Sequence, residues 1–240
     1  MKRFTSLCIV VAGLWVTACG GDSPAAPTTP TGMSISPTTS VLVIGQTQPY
    51  STANGAANDV ITWSSTDPNV LTVDSTGSAT AIAKGVVTIT AAGATQSATL
   101  QVQVVPSYQG TWTGTTTNTA CTSIGAFTSY CAQGVGSGQA FSLSLAQSGL
   151  AVSGALTKAE PGGVLFGAVS GSIGPGGDIT LTGTLTGVSS GSNIVATLIS
   201  WNSLAIGTGM TGVWAINVTS PQILGIATVQ WSLNGVTLAQ

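Results

Sequence analysis

The chain has 240 residues, of which only 4% are charged, 32 are Gly and none is His; ordinary globular composition has about 25% charged residues and ~7% Gly. Four Lys and Arg stand against six Asp and Glu, so there is no basic patch to neutralise phosphates. That excludes nucleic-acid binding and polybasic docking on anionic lipid. The absence of His excludes His-dependent hydrolase triads and His-based metal sites.

The chain starts with Lys2 and Arg3, continues through an apolar run from Leu7 to Val16, and reaches Cys19 through the small residues Thr17 and Ala18. The run is short of the ~20 apolar residues of a membrane-spanning helix and has the layout of an export signal. Val16-Thr17-Ala18-Cys19 resembles the lipidation box of bacterial lipoprotein signal peptides, with Val16 where that family more often has Leu. The resemblance implies that residues 1–18 are removed and that Cys19 is lipidated as the first mature residue. Everything beyond would then sit in the cell envelope, anchored to the outer membrane and facing the periplasm or the outside. Cys8 falls in the signal and Cys19 carries lipid, which leaves Cys121 and Cys131 for one disulfide in an oxidising compartment. Residues 19–32, rich in Pro and Thr, have no apolar periodicity and read as an extended tether.

From Met33 short apolar alternations begin: 40–44, 60–63, 70–73, 79–83, 86–90 and 99–105, punctuated by turns such as Asp74-Ser75-Thr76-Gly77. About seven short strands at this spacing predict an antiparallel β-sandwich. Gly45-Gln46-Thr47, Trp63-Ser64-Ser65-Thr66-Asp67-Pro68, Val73 to Gly77 and Gly85 to Thr90 together resemble the group 2 bacterial Ig-like domain, over residues 33–105. The resemblance implies a non-catalytic spacer or adhesion module with Trp63 in its core. It also implies turn roles for Asp67 and Asp74 rather than calcium ligation. Pro49 removes a ladder donor and predicts an edge or a bulge there.

Pro106 marks a boundary, and residues 106–240 contain longer strands: 108–117, 140–147, 150–158, 164–173, 178–187, 193–202, 209–218 and 224–233. Leu165, Gly167, Val169, Gly171 and Ile173 alternate with polar neighbours. So do Ile179, Leu181, Gly183 and Leu185, and again Met210, Gly212, Trp214, Ile216 and Val218. Each strand thus has one apolar and one wet face, and eight meandering strands remove their edges by closing, so the second domain is expected to be an eight-stranded up-and-down antiparallel β-barrel. Tyr108-Gln109-Gly110-Thr111-Trp112-Thr113-Gly114 resembles the opening strand of avidin-like and lipocalin-like barrels, which supports the barrel and carries over no ligand residues.

No chemistry of catalysis is visible, and no cofactor or metal is expected. Glu160 and Asp178, the acids of the second domain, are predicted at opposite ends of one strand, roughly 30 Å apart at ~3.3 Å per residue. That is far beyond the ~5–9.5 Å of a glycosidase pair. Lys158 is expected at a hairpin tip, in solvent. The segment 118–138, holding both Cys, is expected as a long loop over one mouth, with Phe127 and Tyr130 as contact residues and Trp112 and Trp214 lining the interior. Partners are therefore the membrane, through Cys19, and a small apolar ligand inside the barrel or a cell-surface partner. The alternatives are a side-chain-filled, purely structural barrel and a transmembrane outer-membrane barrel.

Overall fold

A computed structural model describes residues 32–56, 58–132 and 135–239; Cys19 and the signal lie outside the described residues. Nine short strands come first: β1 Ser34–Ser36, β2 Val41–Val43, β3 Thr47–Pro49, β4 Ser51–Ala53, β5 Thr62–Ser65, β6 Leu71–Val73, β7 Ser78–Ala81, β8 Gly85–Ala92 and β9 Ser97–Val105. A four-stranded sheet ordered β2-β9-β8-β5 packs on a three-stranded sheet ordered β3-β7-β6, with β1 and β4 paired beside them. Leu42, Ile89, Val102 and Val104 from the first sheet meet Leu71, Ala79 and Ala81 from the second in one core, because alternate residues of a half-buried strand share a face.

Pro49 ends β3, which pairs only with β7 and so is an edge, as its missing donor requires. Asp67 accepts from the backbone N–H of Asn69 at 2.9 Å, and Asp74 from those of Thr76 at 2.8 Å and Ser78 at 3.0 Å, so both carboxylates close turns. Those bonds hold the exposed Asp74 carboxyl below the usual range, the Thr76 hydroxyl contributing most. Gly77 completes the second turn at φ +85°, with Trp63 lying against it.

Two expectations change. The pairing is not wholly antiparallel, since β2 runs parallel to β9. Trp63 is half-buried at the margin of the core; the largest buried side chain there is Tyr50, whose hydroxyl donates to the Thr39 carbonyl at 2.7 Å. The three-residue strands were invisible to periodicity because a period of two needs more than three residues to show.

The second half is a closed barrel of eight antiparallel strands in chain order: β10 Gly110–Gly125, β11 Gly138–Ser148, β12 Ala151–Glu160, β13 Gly163–Ile173, β14 Ile179–Ser189, β15 Ser192–Ile206, β16 Gly209–Thr219 and β17 Gly225–Leu238. β17 returns to pair with β10, so no edge is left. The apolar residues of the three alternating strands named above all point inward: Leu165, Val169, Ile173, Ile179, Leu181, Leu185, Met210, Trp214, Ile216 and Val218 are buried. Thr180, Thr182, Thr184 and Thr186 are exposed outside. An outer-membrane barrel has the reverse polarity, apolar outside and polar inside, so these exterior hydroxyls argue against a lipid-facing wall.

The inward glycines do not leave room, as a count of missing side chains would suggest. A Cβ at Gly154, Gly171 or Gly187 would overlap the carbonyl oxygen of Ser144, Thr180 or Val164 on the neighbouring strand. The glycines let adjacent backbones close up where a narrow barrel coils most sharply. Gly171→Ala should therefore lower barrel stability by about 2–3 kcal/mol, as overpacking does. Urea unfolding followed by tryptophan fluorescence measures it, and an unchanged midpoint would show that the wall yields freely.

The sandwich sits on one end of the barrel. Lys84 Nζ donates to the Gly176 carbonyl at 2.9 Å and Gln103 Nε2 to the Gly174 carbonyl at 3.0 Å, while Val41 and Val43 pack against the barrel's core. Tyr108 plugs this end: its hydroxyl donates to the Gly177 carbonyl at 2.7 Å and accepts from Ala205 N at 3.1 Å. Burial pushes that phenol up to about 12.

Candidate binding site at the lidded mouth

The opposite end is closed by the segment after β10. This strand is longer than expected: its pairing with β17 continues from Ala120–Gln230 to Gly125–Gly225 after a bulge at Asn118. Cys121 is consequently on a strand and not in the loop. The lid's described residues are 126–132 and 135–137, with one helical turn at Thr128–Ala132, and the Cys121–Cys131 disulfide ties that turn back to β10. Phe127 is buried and meets Tyr130 edge-on at 6.1 Å between ring centroids. Ser190 N donates to the Pro161 carbonyl at 2.7 Å and Ala126 N to the Leu224 carbonyl at 2.9 Å, so the β12–β13 and β14–β15 turns meet each other, and the lid meets the β16–β17 loop, at this mouth.

Beneath the lid lies a cluster that the expected position of Lys158 concealed. β12 does not end before Lys158 but runs to Glu160, and Val152, Leu156, Lys158 and Glu160 all face inward by strict alternation. Lys158, fully buried, donates from Nζ to Glu160 Oε1 at 2.7 Å, to the Ala159 carbonyl at 3.1 Å and to Gln139 Oε1. The same Nζ sits 3.9 Å from the centroid of the Trp231 ring, a cation–π contact. Tyr130 donates its hydroxyl to the Glu160 carboxylate at 3.2 Å, and Ser189 Oγ does so at 3.4 Å. Burial pulls the Lys158 ammonium below the usual lysine range, with Glu160 opposing. Burial also pushes the Tyr130 phenol far up, reinforced by the charge of Glu160. Asp178 sits at the other end, in the turn against the sandwich, where its backbone carbonyl accepts from Gly174 N at 2.7 Å. The two acids of the barrel therefore share no site.

Below the cluster the barrel is packed with rings. Phe141 stacks on Trp201 at 5.9 Å, Trp201 meets Trp214 at 5.3 Å, and Trp214 stacks on Trp231 at 5.9 Å. Trp112 is fully buried and donates its indole N–H to the Tyr108 carbonyl at 2.8 Å. Trp112 and Trp214 thus line the interior, but as filling. The space left inside the mouth is about 20 Å³, lined by Asn118, Tyr130, Gln139, Glu160, Ser189 and Trp231, room for roughly one water. A groove of about 160 Å³ lies just outside, against Phe127, Tyr130, Ser189, Ser190 and Ile194.

Sequence reasoning had passed over Trp201, Trp231, Phe141, Asn118, Gln139 and Ser189. Trp231 was recoverable, since it alternates with the buried Val229 and Leu233. Trp201 was not, because a bulge between Leu198 and Ser200 flips the strand's facing, and strict alternation from Leu198 would have turned Trp201 outward.

The geometry defines an all-β protein in which a small sandwich is seated on the plugged end of a closed, ring-filled barrel. Residues 30–104 match the family model of the bacterial Ig-like domain (group 2), so the sandwich is similar to that domain. No curated protein matches the chain.

Proposed function

We propose that this is a lipid-anchored, non-catalytic cell-envelope protein in which the Ig-like domain spaces the barrel from the membrane and the lidded mouth is the working, binding end. The observation that carries this reading is the polarity of the stack. Met33 N donates to Gln96 Oε1 at 3.0 Å, beside the β8–β9 turn, so the tether enters the sandwich there. β9 then runs nine residues to Val105 at the barrel, the sandwich meets the plugged end through Lys84 and Gln103, and the lid is opposite. At ~3.3 Å per strand residue, reduced by barrel tilt, the mouth lies about 5 nm from the tether's entry.

Two measurements test it. Cys19→Ser should abolish lipid labelling and release the protein from membranes; a variant that still labels and pellets would overturn the anchor. With the anchored protein on vesicles carrying an acceptor dye, a donor at exposed Thr95→Cys should transfer energy strongly and one at exposed Gln222→Cys weakly. Equal transfer would overturn the spacer arrangement.

A further inference from the structure

Among the described residues, four buried side-chain atoms have no hydrogen-bond partner: Thr116 Oγ1, Asn118 Oδ1, Trp214 Nε1 and Trp231 Nε1. They are neighbours. Asn118 is paired in register with Trp231, Trp231 with Trp214, and Thr116 with Leu233 on the same inward row as Trp231. Asn118 and Trp231, 4% and 3% exposed, line the small cavity under the lid. A buried polar group left unpaired is costly, and native interiors rarely tolerate several together. The other two indoles of the barrel show the contrast: Trp112 donates to Tyr108 O at 2.8 Å and Trp201 to Ser203 Oγ at 2.8 Å.

What the unpaired atoms require decides the ligand. The charged groups are already matched, because Lys158, Tyr130 and Ser189 all converge on Glu160. An ion entering the mouth would therefore remain uncompensated in a poorly solvated place. The free positions are one amide acceptor, two indole donors and one hydroxyl able to do either. An apolar ligand would leave all four unpaired. A compact neutral molecule carrying several hydroxyls supplies donors and acceptors at once, and its C–H faces suit the ring-lined wall.

Tyr130 and Ser189 line both the cavity and the outer groove. Tyr130 is thus the partition, held by hydroxyl contacts of 3.2 and 3.3 Å to Glu160. Turning it aside would join two spaces that together stay below the ≈ 300–1,000 Å³ of drug-sized pockets, which limits the ligand to about one ring.

We infer that the lidded mouth is a binding site for a small neutral polyol or single sugar ring, held by Asn118 and the indole N–H group of Trp231, with Tyr130 as its gate. The inference rests on the reading of this mouth as the working end.

The test follows the indole N–H resonances of the lipid-free mature chain while glycerol, D-glucose and N-acetyl-D-glucosamine are titrated, with 1-octanol and sodium acetate as apolar and charged probes. The Trp231 signal should shift saturably with at least one hydroxylated probe, half-maximally on the order of 1 mM, while those of Trp112 and Trp201 stay in place. Asn118→Leu, similar in volume and lacking the orphaned acceptor, should melt no lower than the wild type and bind at least tenfold more weakly. Tyr130→Phe should bind several-fold more tightly. Saturable shifts with octanol or acetate alone, unchanged affinity in Asn118→Leu, or no saturable shift with any sugar or polyol, meaning a water-filled cavity only, would each overturn the inference. None of these outcomes touches the energy-transfer test of the spacer arrangement.

Discussion

Glu160→Gln should cost the barrel about 3–5 kcal/mol, the usual penalty for breaking a buried ion pair by removing one partner. The substitution keeps an oxygen for Tyr130 and Lys158 but leaves a fully buried ammonium with no counter-charge. Against a domain stability of about 5–15 kcal/mol this is a large share. Lys158→Met should cost less, because the remaining carboxylate keeps Tyr130 and Ser189 as donors. Lys158→Met/Glu160→Leu should recover most of the loss, since no unpaired charge remains. Urea unfolding by tryptophan fluorescence separates the three, because Trp112, Trp201, Trp214 and Trp231 are in the barrel and Trp63 alone is in the sandwich. If Glu160→Gln lay within 1 kcal/mol of the wild type, a margin appropriate to exposed pairs, the pair would be solvated and the lid would not seal it.

The architecture was legible because long alternating strands leave little choice. Thr180 to Thr186 opposite Ile179 to Leu185 can only be a wall with one apolar side, and eight such strands in succession close on themselves. The working end was legible as a place, since alternate loops of a meander share an end and one of them carried both Cys. Its chemistry was read wrongly for one local reason. Lys158-Ala159-Glu160-Pro161 looks like a solvated hairpin tip, and charge next to Pro and Gly usually is one. The alternation Val152, Leu156, Lys158, Glu160 carried the opposite message, and in the barrel the period of two prevailed over residue polarity because each charge had a partner waiting: one another, Gln139, Ser189 and the lid's Tyr130. Bulges are the remaining blind spot. They depend on both strands of a pair, so neither the one at Asn118 that extends β10 nor the one at Ser200 that turns Trp201 inward could be read from its own strand alone.

The expectation of an apolar ligand inside the barrel has its own decisive experiment, in which the filling is removed. Trp214 is 1% exposed and sits between Trp201 and Trp231, with Phe141 6.5 Å from it. Trp214→Ala should destabilise the barrel by about 3 kcal/mol, the low end of the range for deleting a buried Trp, because its indole N–H is unpaired and its removal relieves that burden. The hole would be walled by rings and aliphatic side chains, and apolar cavities of this kind stay dry and take up small aromatic molecules. Indole added at about 100 times its dissociation constant should therefore restore roughly 2.7 kcal/mol, seen as an upward shift of the urea midpoint in Trp214→Ala. The wild type should show no shift, because its rings already occupy the space. A wild-type barrel stabilised by indole as much as the variant would mean that the stack opens for apolar ligands unaided. In that case the first expectation would stand, and Trp112 and Trp214 would be contact residues rather than filling.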